Sequence, residues 1–319
     1  MNNFFKKLFA ILFGVFFALF LLELACQALF AFMVAPQLKS QQNDPLHYYT
    51  ASDDPALSYV LKPGYQIEKD GRSIHINQYG IRDNSEDTGG PRKVALLGDS
   101  VPFGIALSQD ETPPAALQRM AGDSIRILNF GTPGYGLEEV KRYLEVKYPI
   151  YKPEKLYYFL NLNDFSKRNT IYEGGDNGLY RIYEKPFFKL PFFIRKAVYR
   201  YIKEGKMSTS GWYRWMFKGN NRELLPLVKQ MSDYAKANGS EFTVLLFPPA
   251  VAYENGQFVL QDVFDEISQY LKQNNIPVIA PVSEFSQNTY DLQDNTDHFT
   301  AKGSEVIAGV VWKDLTGGR

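Results

Sequence analysis

The sequence predicts an α/β protein, a three-layer doubly wound parallel sheet preceded by one N-terminal transmembrane helix. Three observations carry that expectation. Five short apolar runs alternate with helical patterns between residues 93 and 315. The first of these runs, Lys93-Val94-Ala95-Leu96-Leu97, leads directly into Gly98-Asp99-Ser100 and a helical start. Ahead of them, Leu8 to Val34 is almost wholly apolar. Strand–helix alternation places helices on both faces of a parallel sheet, because each crossover must return over one face.

The N-terminal run is 27 residues long and is broken only by Glu23 and Gln27. It exceeds the roughly 20 helical residues that cross a bilayer. Lys6 and Lys7 predict a cytoplasmic N-terminus, with everything beyond Val34 outside the cytoplasmic (inner) membrane, in the periplasm or extracellular space. A span from Leu8 to about Gln27 puts Glu23 near the outer interface, where a carboxylate costs least. A cleaved signal peptide has a shorter apolar core, whereas here the run continues through Ala28-Leu29-Phe30-Ala31-Phe32, which favours an uncleaved anchor. Leu24-Ala25-Cys26 is a faint lipoprotein-like site, and Glu23 together with the apolar residues beyond Cys26 argues against lipidation there.

Three parts follow: 1–34, cytoplasmic tip and anchor; 35–85, linker and strand–turn extension; and 86–319, the main domain. In the extension, polar residues from about Gln37 to Asp54 read as a juxtamembrane linker. Ser58 to Tyr65, the alternating Ser73-Ile74-His75-Ile76-Asn77 and the turn-rich Tyr79 to Asp83 read as short strands and turns. In the main domain the strand candidates are Lys93 to Leu97, Arg126 to Phe130, Lys155 to Leu160, Glu241 to Phe247 and Ile276 to Ala280. Helical patterns cover Thr112 to Met120, Leu137 to Val146, Arg222 to Ala237, Val259 to Gln273 and Lys302 to Leu315. Asn238-Gly239 closes the third of these.

Residues 165–220 interrupt the alternation with 12 Lys+Arg against 4 Asp+Glu and many aromatics, among them Phe187-Phe188, Phe192-Phe193, Trp212 and Trp215. So long a segment predicts a partly helical insertion. It reads either as a lid or a face for anionic lipid or polysaccharide, or as a structural cap with solvated lysines.

Composition excludes several classes. Lys+Arg and Asp+Glu are both 35, which gives no electrostatic case for nucleic acid as a partner. A single cysteine, Cys26, excludes intrachain disulfides and Cys-based zinc sites. No His-Glu-x-x-His spacing and no phosphate-cradling Gly-Lys-Ser/Thr loop is present, so neither a metal nor another cofactor is expected.

Serine at the C-terminal edge of a parallel sheet sits where such folds place their ligand sites. Backbone N–H groups opening the next helix favour an oxyanion beside it. A serine nucleophile needs a base at neutral pH. Of three histidines, His47 lies in the linker and His75 in the strand–turn extension; His298 alone follows Ser100, just before the last helix.

Gly98-Asp99-Ser100, the block Asn129-Phe130-Gly131-Thr132-Pro133-Gly134, the block Asn161-Leu162-Asn163-Asp164 and the late His298 occur in the order and at the separations of the SGNH (GDSL-type) hydrolases. The chain resembles that family over roughly residues 93–315. Leu61-Lys62-Pro63-Gly64 through Asp83 is similar to the lead-in of its membrane-anchored bacterial members. The resemblance implies an SGNH, flavodoxin-like fold with Ser100 as nucleophile, His298 as general base, and the backbone N–H groups of Ser100 and Gly134 and the Asn163 amide as oxyanion donors. It implies an esterase that removes acyl groups, acetyl foremost, from a cell-surface carbohydrate through an acyl-enzyme. The alternatives are an O-acyltransferase with a sugar hydroxyl as acceptor and a non-catalytic polysaccharide- or lipid-binding protein. The implied partners are the acylated carbohydrate or lipid substrate and the membrane, through residues 8–34.

Two positions depart from the family pattern. Asn161 stands where a glycine is usual. The acid that usually sits three residues before the histidine is replaced by Asn295, with Asp294 and Asp297 flanking it. In an extended stretch Asp297 would point away from its neighbour His298, so Asp294 is preferred. If neither carboxylate reaches the ring, a backbone carbonyl would orient it.

Overall fold

The structure, a computed structural model, describes residues 3–36, 48–57, 59–69, 71–90, 92–166, 187–194, 197, 209–286, 289–294 and 298–317. His47, Asn295, Asp297 and much of 165–220 lie outside the described residues. The chain forms two compact units: Met1–His47 with Asn169–Lys206, and Tyr48–Arg168 with Met207–Arg319.

In the first unit, α1 (Asn3–Leu29) continues into a wider π-helical turn, Phe30–Val34. Asn3–Val34 is long and apolar enough to cross a membrane, as either a single-pass anchor or a signal sequence would.

The second unit contains a five-stranded, all-parallel sheet of β5 (Arg92–Gly98), β6 (Ile125–Gly131), β7 (Lys155–Leu160), β8 (Glu241–Leu246) and β11 (Val278–Ile279). Its spatial order is β11-β8-β7-β5-β6. Counted by sequence this is the doubly wound order 2-1-3-4-5, whose direction of winding reverses between β5 and β7. Both faces are buried, as the continuous apolar runs require. On one face, Val94, Leu96, Ile127, Tyr157, Phe159 and Leu245 form a core with Ala116 and Leu117 of α3 (Pro113–Ala121) and Ile307 and Val311 of α7 (Ala301–Leu315). On the other, Phe130 meets Tyr143 and Tyr151 of α4 (Leu137–Tyr151) edge-on. Helix α4 in turn packs on α5 (Thr209–Ala237).

Two antiparallel pairs precede the sheet, β1 (Tyr49–Ala51) with β2 (Tyr59–Leu61), and β3 (Gln66–Lys69) with β4 (Arg72–His75). Tyr49–Ala51, expected within the linker, is therefore a strand. The Tyr59 hydroxyl donates to the Pro133 carbonyl at 2.6 Å and the Tyr135 hydroxyl returns a bond to Tyr59 O at 2.5 Å, which ties this extension to the loop after β6.

Helix α5 begins at Thr209 rather than at Arg222, with Pro226 accommodated inside it. Its first turns were read as insertion because they are rich in aromatics and basic residues. Trp212, Tyr213, Met216 and Phe217 are nonetheless buried, and Phe217 packs edge-on against Phe165 at 4.9 Å. A small hairpin, β9 (Tyr253–Glu254) and β10 (Gln257–Phe258), takes up the residues before α6 (Gln261–Gln273), so α6 starts two residues later than expected. The fifth strand is shorter than its apolar run, pairing only at Val278 and Ile279.

Candidate active site

Ser100 opens α2 (Ser100–Phe103), a single helical turn at the C-terminal end of β5. Asp99 caps that turn: its Oδ1 accepts from the Val101 N–H at 2.9 Å. The turn lies against β6 at Gly131, where a Cβ would fall 2.3 Å from the Phe103 nitrogen, so only glycine permits the approach. Gly131 was passed over in the sequence in favour of Gly134; its signal was its place at the end of a strand adjoining the serine.

His298 reaches the same place from the far end of the chain. Its Nε2 is 2.9 Å from Ser100 Oγ across 198 residues. Ser100 Oγ is also 3.4 Å from Asp99 Oδ2, a poorer second acceptor. On the other side of the ring, Nδ1 is 3.4 Å from Asp294 Oδ2. A carboxylate on that side favours the tautomer with hydrogen on Nδ1, leaving Nε2 free to accept from serine.

Asp294 and His298 are paired with each other through their backbones. Gln293 bridges Phe299 in antiparallel fashion, and the Asp294 N–H donates to the His298 carbonyl at 2.8 Å. The His298 N–H donates to Asp294 Oδ1 at 3.0 Å. Residues four apart therefore face each other across the loop, which is how a carboxylate displaced by one position from the family's usual place comes beside the ring. Asp297, the other candidate, lies outside the described residues.

Two more elements hold this loop. The Gln293 amide donates to the Pro248 carbonyl at 2.9 Å, beyond β8. At Gly303, in the first turn of α7, an added Cβ would lie 1.9 Å from the Leu292 carbonyl. Glycine lets α7 press directly on the backbone that carries Asp294.

Gly134 and Asn163 follow β6 and β7, the strands on either side of β5, so both stand at the sheet edge where Ser100 is. Gly134 has φ +83°, a conformation that suits glycine. Asn163 is half-buried and its amide hydrogen-bonds Asp99. One N–H of that amide is engaged there, and the group has a second to offer. Burial pushes the Asp99 carboxyl above the usual range, against bonds from Val101, Asn163 and Ser100 and the nearby His298 that favour its charge. Neighbouring Asp164 is fully buried, and burial together with the charge of Asp99 drives its carboxyl well above the ordinary carboxylate range. His75 of β4 pairs instead with Gln66, at 2.8 Å.

No family model matches the chain, and no curated protein matches it. Among the solved structures similar to it are lipolytic proteins and esterases, some of them named as G-D-S-L family members. A lipolytic protein of the G-D-S-L family from Desulfitobacterium hafniense is 15% identical, with 70% of this chain and 98% of that one covered at a TM-score of 0.40. A psychrotrophic esterase from Pseudoalteromonas, described as inhibited by monoethylphosphonate, is 14% identical, covering 71% and 97% at 0.45. A lipase/acylhydrolase from Enterococcus faecalis is 17% identical, covering 71% and 96% at 0.44. The sheet order, with three of the sequence blocks at the ends of β5, β6 and β7 and His298 just before α7, rather than these distant likenesses, carries the fold assignment.

Proposed function

We propose that this protein is a serine ester hydrolase of the SGNH (GDSL) type, anchored in the cytoplasmic membrane by α1 with its second unit outside. It removes short acyl groups, acetyl foremost, from a cell-surface carbohydrate. The observation that carries the reading is the 2.9 Å approach of Ser100 Oγ to His298 Nε2. Four blocks in family order support it.

The chemistry follows from the geometry. His298 Nε2 takes the proton as Ser100 Oγ attacks the ester carbonyl, and Asp294, beside Nδ1, stabilises the imidazolium that forms. The carbonyl oxygen becomes an oxyanion, held by the N–H groups of Ser100 and Gly134 and the second N–H of Asn163; each such donor is worth about 3 kcal/mol to the transition state. Asp99 orients the Asn163 amide and caps the nucleophile's turn. His298 then gives its proton to the departing sugar oxygen, which leaves as the free hydroxyl. Water, deprotonated by the same nitrogen, attacks the acyl-Ser100 ester, and His298 hands that proton to Ser100 Oγ as the acid leaves.

The test is active-serine labelling. A fluorophosphonate, chosen because the Pseudoalteromonas esterase is inhibited by a phosphonate, should label the full chain in detergent, and Ser100→Ala should abolish labelling. Release of acetate from an O-acetylated polysaccharide should depend on the same residue. No labelling and no turnover of p-nitrophenyl acetate at neutral pH would overturn the reading. For the topology, protease added to intact spheroplasts should remove the large domain; complete protection would refute it.

A further inference from the structure

The apolar run of α1 contains two polar side chains, Glu23 and Gln27, and the catalytic reading leaves both without a task. They share one helix face with Cys26, Phe30 and Val34, at a spacing of 3, 1, 3 and 4 residues. Among the described residues 3–36, these five and Ala35 are the ones not classed as exposed. What covers the face is a short piece of the insertion. The backbone N–H groups of Lys189 and Leu190 each donate to the Glu23 carboxylate at 2.8 Å. The Gln27 amide donates to Glu23 at 2.6 Å and to the Phe187 carbonyl at 2.8 Å. Phe192 meets Phe30 edge-on at 5.3 Å, and the Lys189 ammonium sits 4.5 Å above the Phe30 ring. Glu23 thus satisfies the first N–H groups of a helical turn that begins at Leu190, groups that otherwise have no acceptor inside the helix.

Depth follows from helix geometry. Glu23 is fifteen residues beyond Leu8, or about 22 Å along a helix rising 1.5 Å per residue. The hydrocarbon core is about 30 Å thick, so a span that enters at Leu8 holds Glu23 roughly 8 Å inside the far boundary. Residues bonded to Glu23 share that depth. A carboxylate in that place requires hydrogen-bond partners, and the insertion supplies them. Its own outward side chains are apolar: Phe187 is 82% exposed, Phe188 60% and Ile194 53%. In water these would form a bare aromatic patch; beside a membrane helix they continue its lipid-facing surface.

We propose that residues 187–194 are a second membrane-contact element, docked on α1 through Glu23 and Gln27, with Phe187, Phe188 and Ile194 immersed among the acyl chains of the leaflet at the helix's C-terminal end. The partner is the bilayer itself. This rests on the reading of α1 as a membrane span, and the experiment separates the two.

Single cysteines at Phe187, Ile194, Phe16 and Lys302 are introduced into full-length Cys26→Ala protein, labelled with an environment-sensitive fluorophore and reconstituted into phosphatidylcholine vesicles containing acyl-chain nitroxide lipid. All four positions are exposed, so the labels leave packing undisturbed. The expected result is quenching at 187 and 194 within about twofold of that at 16, with the label at 302 unquenched. Quenching at 16 without quenching at 187 or 194 overturns the second contact and leaves the anchor intact. No quenching at 16 overturns the anchor and the proposal with it. Glu23→Leu keeps the span apolar and removes the acceptor; it should cut quenching at 187 at least threefold while leaving 16 unchanged. Unchanged quenching at 187 would refute the docking through Glu23.

Discussion

The two sides of the candidate site are built differently. Ser100 stands on a turn held by several independent contacts. The turn is capped by Asp99, seated on Gly131, and bonded by Arg82, which is 2% exposed. Arg82 donates to the carbonyls of Phe103 at 3.0 Å, Gly104 at 2.7 Å, Leu107 at 2.9 Å and Ser73 at 3.1 Å. His298 stands on a loop whose shape depends on one antiparallel bridge, one carboxylate and the close approach of α7. A nucleophile on a strand end is placed by the core; a base on a loop is placed by a few polar contacts. Substitutions on the first side should therefore cost stability, and on the second, activity with little change in stability.

The largest expected effect is on the loop side. His298→Ala should lower kcat/KM for p-nitrophenyl acetate by about 10⁴-fold. The Asp294–His298 backbone bonds survive the change, so the unfolding midpoint should stay within about 1 °C of wild type. A stability loss comparable to that of the scaffold variant below would erase the contrast.

That variant is Arg82→Met. Burial lowers the guanidinium to about 10, so it remains charged at neutral pH; its removal takes one donor from each of these carbonyls, although Phe103 O keeps the Asn129 amide at 3.3 Å and Gly104 O keeps the Leu107 N–H at 3.0 Å. Each unsatisfied buried carbonyl costs about 1–3 kcal/mol. Water will recover some of these bonds, and a net loss of about 3 kcal/mol is expected in urea unfolding followed by tryptophan fluorescence. A loss below about 1 kcal/mol would mean the extension does not brace the nucleophile's turn.

This contrast also explains what could be read from the sequence. Parallel strands buried on both faces appear as unbroken apolar runs, so β5, β6, β7 and β8 were visible. So was the serine that ends β5, because its position depends on that strand alone. The partnership of Asp294 with His298 was only half visible. Both residues were candidates, but the pairing of positions four apart depends on the Gln293–Phe299 bridge and on Gly303, contacts made through the backbone that no side-chain pattern announces. The first turns of α5 were hidden for a different reason. Their basic and aromatic composition resembles an exposed insertion, and only the fold reveals that Trp212 and Phe217 face inward while Lys218 faces out.

Asp294→Asn tests the loop more gently. The amide cannot stabilise the imidazolium as a carboxylate does, and its N–H₂ favours the wrong tautomer. We expect kcat to fall about 100-fold, equivalent to about 2.7 kcal/mol, with Asp297→Asn remaining within about twofold of wild type. The opposite ranking would transfer the role to Asp297 and away from the Asp294–His298 pair.

The effect per pH unit is smallest where the scaffold side is probed through pH. Asp164 accepts from the Tyr158 hydroxyl at 2.6 Å and from the Asn161 N–H at 3.2 Å, both through Oδ2. Its folded-state carboxyl titrates well above its unfolded value, first because of burial and then because of the charge on Asp99. A carboxyl raised in this way contributes fully below its unfolded value, near 4, and loses that contribution as pH climbs toward the folded value. Asp164→Asn can keep both bonds through its amide oxygen and carries no titratable proton. The variant should be no more stable than wild type at pH 4. Between pH 5 and 7 the balance should shift toward the variant by up to about 1.4 kcal/mol per pH unit, read as the difference in urea midpoints. A difference that stays flat over this range would mean that Asp164 is ionised in the folded protein at an ordinary value, and that the strand end beneath Asn163 is wetter than its burial implies.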